Sequence, residues 1–367
     1  MIDLEETFVY DAVTHAYNLE PANYRNEQHA EGITEMLYGT VDGVMPEEYS
    51  LEPEGFVRDW SVEETANMLF RESYTDMSTF HPVPMYAFHD GLVANEKAGD
   101  VVDRWPDRFR SYAAVDPLRD EWEETLEEQV ESFDPIGVKL YPSHWSADHH
   151  EGWSMGDPDV AFPVFEKAID LGIDLIDIHK AIPFGPVPRG PYHPRDVDVA
   201  AESFPDLDFS IVHGGFAFTE ETAWQLARFP NVHVNLEGVP PILLGNERRF
   251  AEILAELISL VGEDGMDRLF WSSGAMSVHP RPQLEAFRDF EFPDDVRKNT
   301  STMGELPRLT DEHKRKILGE NYAELIGLDI DDARSRIDGD EFDRHRSEDG
   351  LAEPYSTTDA IEAEEVA

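Results

Sequence analysis

The sequence predicts a (β/α)8 barrel, and three observations carry that reading. Apolar runs of strand length recur along the chain and alternate with amphipathic stretches of helical spacing. Eight such units fit within 367 residues, a length that suits one barrel of this kind. No glycine-rich phosphate loop follows any of the strands, which argues against a doubly wound sheet. The expected architecture is one barrel with an N-terminal insertion over its mouth and a helical closure at its C-terminus.

The first strand lies in FVYDAVTHAYN and ends at His15. Residues from about 27 to 70 exceed an ordinary βα connection and mix helix with Pro- and Gly-containing loop, so they are read as the insertion. The remaining strands are STFHPVPMY, RSYAAVDP, IGVKLYP, DLIDIHKA, DFSIVHGG, NVHVNLEG and RLFWSSGA. Helical segments between them include EWEETLEEQVESF, PDVAFPVFEKAIDLG and EETAWQLARF. In RFAEILAELISLVG, Phe250, Ile253, Leu254, Leu257 and Ile258 recur at the spacing of one helix face. LTDEHKRKILGENYAELIGL reads as a helix pair that closes the barrel, which sets the barrel domain at residues 1–328. From 329 to 367 the chain is acidic and poor in aliphatic clusters, and is read as a mobile tail.

Composition narrows the class of function. Asp and Glu number 78 against 29 Lys and Arg, a net charge of -49. Repulsion of that size works against a compact fold in dilute buffer, whereas molar salt shortens the screening length to about 3 Å. The acidic residues are spread through nearly every helix and only seven of the basic residues are lysines, the pattern of a halophile's solvated surface. No basic stripe exists to hold a nucleic acid. The absence of cysteine removes disulfides, thiolate nucleophiles and thiolate ligands together. MIDLEETFVYDAV lacks a basic-then-apolar leader, and no apolar run approaches the roughly 20 residues that span a bilayer. A cytoplasmic protein with no membrane partner is expected, and a homo-oligomer is compatible with an insertion at the mouth.

His15, His179 and His213 each stand where an apolar run passes into a loop. In a barrel such strand ends share one face, the face that carries active sites. Three imidazoles gathered there point to a metal or general-base site. Glu237, at the end of NVHVNLEG, supplies a carboxylate at the same face, and His81 and His279 fall on strand ends or loops of that mouth. Lys139 ends one strand and Lys180 directly follows His179, in a chain that has shed most of its lysines. Both are read as binding the carboxylate of a small anionic substrate, although Lys180 alternates with His179 and on that count faces away. Trp145 and Trp153, in the loop SHWSADHHEGW, are expected to line one wall of the pocket.

GVKLYP, IVHGG, the PDRF…AAVDP stretch and ILGENYAELIGL together resemble the amidohydrolase-related family of metal-dependent TIM-barrel hydrolases. That family includes non-oxidative decarboxylases of the aminocarboxymuconate-semialdehyde type. The resemblance covers roughly residues 8 to 328 and implies one divalent metal ion, of the zinc class, held by His15, His179 and His213. It also implies His213 as a general base; Glu237 and His279 are read from their positions as further catalytic groups, and Lys139, Lys180 and His81 as substrate-binding groups. The family's first strand carries His-x-His, but here the triplet is Val13-Thr14-His15. Its last strand ends in a Gly-Ser-Asp type turn, but here the stretch is Ser272-Ser273-Gly274. Three readings follow: metal-dependent hydrolysis of a small anionic amide, lactone or ester, decarboxylation of a small carboxylic acid, or a metal-free barrel that binds a small anion.

Overall fold

Strands buried on both faces have no solvent side to mark with polar residues, so they appear as nearly continuous apolar runs. The computed structural model describes residues 1–145, 149–301 and 304–358, and its parallel strands have that character. β1 (Tyr10–Thr14), β2 (Met77–Phe80) and β3 (Phe109–Ser111) pair in parallel in that order. The third stave continues past Tyr112 as β4 (Ala113–Ala114), with Tyr112 N donating to Phe80 O at 3.1 Å. β4 then pairs with β5 (Val138–Leu140), and a hairpin of β6 (Ser143–Trp145) and β7 (His150–Gly152) follows outside the barrel. Residues 146–148 lie outside the described residues. β8 (Leu175–His179) pairs in parallel with β5, and β9 (Asp208–Val212), β10 (Val232–Asn235) and β11 (Leu269–Phe270) complete the series, each parallel to the one before.

The ring closes between its last and first strands. Ala12 N donates to Trp271 O at 3.0 Å, and His15 N donates to Ala275 O at 2.6 Å beside a parallel bridge of Thr14 with Ala275. Asp11 reinforces this seam by accepting from Ser273 N and Ser273 Oγ. The fold is the expected eight-membered barrel. Its C-terminal closure differs in form: Asp311–Arg315, Lys316–Glu320 and Asn321–Leu325 make one helical run, not a pair, with a π-type middle segment. That middle turn leaves Ile317 O free to accept from Trp271 N at 2.9 Å, so the helix is tied directly to the barrel strand.

The segment between β1 and β2 does two jobs. Helix Glu27–Val44 is capped by the Asn26 side chain and lies over the mouth, while helix Val62–Phe70 is the crossover that leads into β2. None of the helices among the described residues is long and apolar enough to cross a membrane.

Beyond residue 329, where the sequence suggests a mobile tail, the described residues are folded. Helices Ile330–Ile337 and Glu341–Asp349 pack on the barrel, and Phe342 is 1% exposed against Phe70, with ring centroids 5.1 Å apart. Arg108, itself buried, donates to both carboxylate oxygens of Asp340 at 2.6 and 2.9 Å. Sequence polarity hides this docking because it rests on a few scattered groups, with Phe342 the one large aromatic buried from these two helices. Phe342→Ala is expected to cost about 3–5 kcal/mol, the usual range for emptying a buried aromatic site. Chemical unfolding in molar salt measures it, and a loss below about 1 kcal/mol would show the tail to be an accessory.

Candidate active site

The mouth of the barrel is built by strand ends that turn sharply. β9 runs straight into His213, which takes φ +73, and Gly214 and Gly215 follow at +57 and +70. A left-handed backbone costs a non-glycine residue about 1–2 kcal/mol, and here it swings the imidazole into the barrel. The two glycines are required by space as well, since a Cβ on Gly214 would meet Val239 Cγ2 at 2.6 Å and one on Gly215 would collide with Thr222. His179 is the last residue of β8, and His15 directly follows β1. Glu237 lies two residues past β10, where its N–H donates to Asn235 Oδ1 at 3.0 Å.

These four side chains converge. His15 Nε2 lies 3.6 Å from Glu237 Oε1, and His213 Nδ1 lies 3.7 Å from Glu237 Oε2. His213 Nε2 and His179 Nδ1 are 2.9 Å apart. The outer nitrogens of that histidine pair meet backbone carbonyls: His213 Nδ1 is 3.2 Å from Glu237 O, and His179 Nε2 is 2.6 Å from Ile182 O. His15 is oriented from behind by His81 O, 2.9 Å from its Nδ1, and its ring stacks on Tyr17.

Burial lowers the pKa of His213 to about 4, against the opposing charge of Glu237, and pushes that of His179 well below the ordinary range. Both rings are therefore neutral near pH 7 and carry two protons between them. The two carbonyls and the contact between the rings make three hydrogen-bonding positions. Two protons serve three contacts, so the pair is one positive charge short of complete satisfaction. Burial also opposes the charge of Glu237, but His213, His15 and Lys139 outweigh it and hold its carboxyl at about 2. The site joins a permanent carboxylate to an electron-rich histidine pair.

Gly274 explains how the carboxylate fits. It takes φ +77, and a Cβ there would stand 3.3 Å from both Cγ and Oε1 of Glu237. The Glu237 side chain thus lies against the position where the resemblance places an aspartate.

Above these groups opens a cavity of about 220 Å³. Glu237, His213 and Ser273 form its polar end, while Met36, Leu37 and Val41 of the overlying helix join Phe184, Phe216 and Val278 in its walls. Among the described residues lining it there is no lysine or arginine.

Several residues expected at the site are held elsewhere. Lys180 follows His179 and so projects to the opposite side of the strand, where it donates to Pro191 O and Asp196. Lys139 stays inside the barrel but is paired with Asp177 Oδ2 at 2.5 Å, both side chains 1% exposed. His81 is buried below the mouth, its Nε2 on Ala12 O at 2.8 Å and its Nδ1 3.7 Å from Asp177 Oδ2. His279 caps helix Pro280–Asp289 through Nδ1 and pairs with the buried Glu72 through Nε2 at 3.1 Å, so both of its nitrogens are used away from Glu237. Trp145 and Trp153 are buried in the core and do not line the cavity. Asp177 was not anticipated, although an aspartate in the fully buried run LIDIH signals a hidden partner. The cavity helix Glu27–Val44 offered no chemical motif that would single it out.

Among the described residues, no three His, Asp or Glu side chains stand around a common point at ligand spacing. The donor types nonetheless suit a divalent ion. His15 Nε2 and Glu237 Oε1, at 3.6 Å, are beyond hydrogen-bond range and near the roughly 3.4 Å edge of a zinc-type tetrahedron. His213 Nε2 and His179 Nδ1 face each other at 2.9 Å, and they are the nitrogens that would be offered to such an ion.

The family model for amidohydrolases matches residues 62–328, a span that includes Lys139, His179, His213 and Glu237 but begins after His15. The fold is similar to an uncharacterized TIM-barrel protein from Bordetella bronchiseptica, with a TM-score of 0.56 and 17% identity over 87% of this chain and 98% of that one. It is also similar to 5-carboxyvanillate decarboxylase from Sphingomonas paucimobilis, with a TM-score of 0.51 and 16% identity over 87% and 99% of the two chains. A third likeness is to 4-oxalomesaconate hydratase from Rhodopseudomonas palustris, with a TM-score of 0.51 and 16% identity over 90% and 99%. At these identities the likeness is one of fold. No curated protein matches the sequence.

Proposed function

The chain belongs to the amidohydrolase family and is an enzyme of hydrolase or carboxy-lyase type, and from that premise we propose that it hydrolyses a small amide, lactone or ester. The observation that carries this reading is the convergence of His15, His179, His213 and Glu237, with His213 and Glu237 lining a cavity at the barrel mouth. Hydrolysis needs a group that takes a proton from water as its oxygen adds to the carbonyl carbon. The Glu237 carboxylate, kept ionised, is placed for that transfer, and its Oε2 faces His213 Nδ1. The proton that Glu237 takes from water is then returned from its carboxyl to the leaving nitrogen or oxygen, and His15 and His213, 3.6 and 3.7 Å from its oxygens, hold the carboxyl in place for both transfers. Decarboxylation is the related alternative on the same fold, with the proton delivered to carbon in place of water attack.

His15, His179 and His213 are the residues that would hold a divalent ion of the zinc class, with Glu237 beside them. When bound, such an ion polarises a carbonyl and acidifies water. The backbone carbonyls on His213 Nδ1 and His179 Nε2, which leave His213 Nε2 and His179 Nδ1 turned toward each other, support this assignment. A metal-free site is the second reading, supported by the lack of three donors at ligand spacing among the described residues. In keeping with the acidic surface, we take molar salt as the working medium.

Metal analysis after purification in molar salt separates the two readings. About one ion per chain is expected in the parent protein and less than about a tenth in His179→Ala, because a catalytic zinc site normally takes three protein ligands. A parent chain with under about a tenth of an equivalent, and full activity after chelation, would rule out the ion. Hydrolysis itself is tested with a panel of amides, lactones, esters and aromatic carboxylic acids in the same medium.

A further inference from the structure

We propose that the substrate presents an uncharged, apolar body of about one six-membered ring to the cavity wall, so that any charge it bears sits at the reacting group. The inference rests on reading this mouth as the active site, and it replaces the expectation that two lysines select an anion.

Four observations support it. The walls above Glu237 and His213 are mainly apolar, with Met36, Leu37, Val41, Phe184, Phe216 and Val278, and their polar groups, Tyr17, Thr40 and Ser277, are uncharged hydroxyls. Phe216 is among the few large hydrophobic side chains left exposed, at 38%, and it stands on this cavity, so the entrance is apolar as well. Both lysines expected to meet a carboxylate are neutralised by other partners, Lys139 by Asp177 and Lys180 by Asp196. The one formal charge on the lining is the negative one of Glu237. A carboxylate on the far side of the substrate would therefore lose its water and find no cation, the costly case for a buried charge.

Size sets the second half of the proposal. An apolar cavity of about 150 Å³ holds a benzene molecule. The volume here is about 220 Å³, room for one ring and a reacting carbonyl.

Benzamide and 4-carboxybenzamide test this directly, because they share the reacting group and differ at the far end. Their dissociation constants are measured by isothermal titration calorimetry with the full chain in molar salt. Benzamide is expected to bind at least about tenfold more tightly, since only the second compound must bury a carboxylate without a partner. Leu37→Lys, on the overlying helix, places a cation in the wall and is expected to close or reverse that gap. Equal or tighter binding of 4-carboxybenzamide to the parent chain would overturn the proposal, as would benzamide binding weaker than about 10 mM. Neither outcome depends on turnover. Selective binding of benzamide without hydrolysis would leave this inference standing and count against the hydrolytic reading alone.

Discussion

Replacing Glu237 with glutamine is expected to lower kcat by about 10²–10⁴-fold, the range contributed by a positioned acid–base group. Glutamine has nearly the same shape and can still face His15 Nε2 and His213 Nδ1, which lie 3.6 and 3.7 Å from the carboxylate oxygens. What it cannot do is accept a proton. The loss should therefore appear in kcat, with an unchanged unfolding midpoint in molar salt. Glu237→Asp draws the carboxylate back from both histidines and should fall between the two. Gly274→Asp, introduced into the Glu237→Gln chain, tests the idea that one carboxylate has taken over from another. A Cβ at 274 would stand 3.3 Å from the side chain of residue 237, and aspartate tolerates left-handed backbone better than most residues. Partial recovery there would place the required charge in space, whichever strand supplies it. If Glu237→Gln keeps more than about a third of the activity, Glu237 is a structural partner of the histidines and the proposed proton transfer fails.

Some of this site could be read from residues alone, and the limits have physical causes. A histidine that ends a buried run must lie at one mouth of a barrel, so His15, His179 and His213 were legible from position. Glu237 was legible for the same reason. Which way a neighbouring side chain points is a finer matter. Lys180 differs from His179 by one residue, and in a strand one residue reverses the face. His279 sits where a loop becomes a helix, and the capping bond to Arg281 N decides its orientation. Alternation already signals the first outcome, whereas the second is not visible without the turn geometry. The tail misled for a different reason. Its last helix, EFDRHRSED, is polar on every side except at Phe342, and an average over such a segment conceals one deep anchor. The apolar cavity wall was invisible because Met36, Leu37 and Val41 form an ordinary helical stripe. Only their placement over His213 gives that stripe a role.

Lys139 offers the clearest separation between a residue that serves the substrate and one that serves the barrel. It stands opposite Asp177 in the register of β5 and β8, with Nζ on Oδ2 at 2.5 Å and both side chains buried. Lys139→Met should cost about 3–5 kcal/mol, because Asp177 is then left charged or must take up a proton inside the barrel. A substrate lysine would behave otherwise, with stability kept and affinity lost. The double variant Lys139→Met with Asp177→Leu removes the unpaired group as well. It should recover most of the loss, since a well-packed apolar pair is often no worse than a buried ion pair. Salt supplies an independent check. Exposed ion pairs weaken when the screening length falls to about 3 Å at 1 M, whereas this pair is shielded from the solvent ions. The difference in unfolding free energy between parent and Lys139→Met should therefore be the same at 1 M and at saturating salt. A deficit that shrinks with salt, or a double variant as unstable as the single one, would mean that the pairing does not hold the barrel interior together. Lys139 would then return to consideration as a group that meets the substrate.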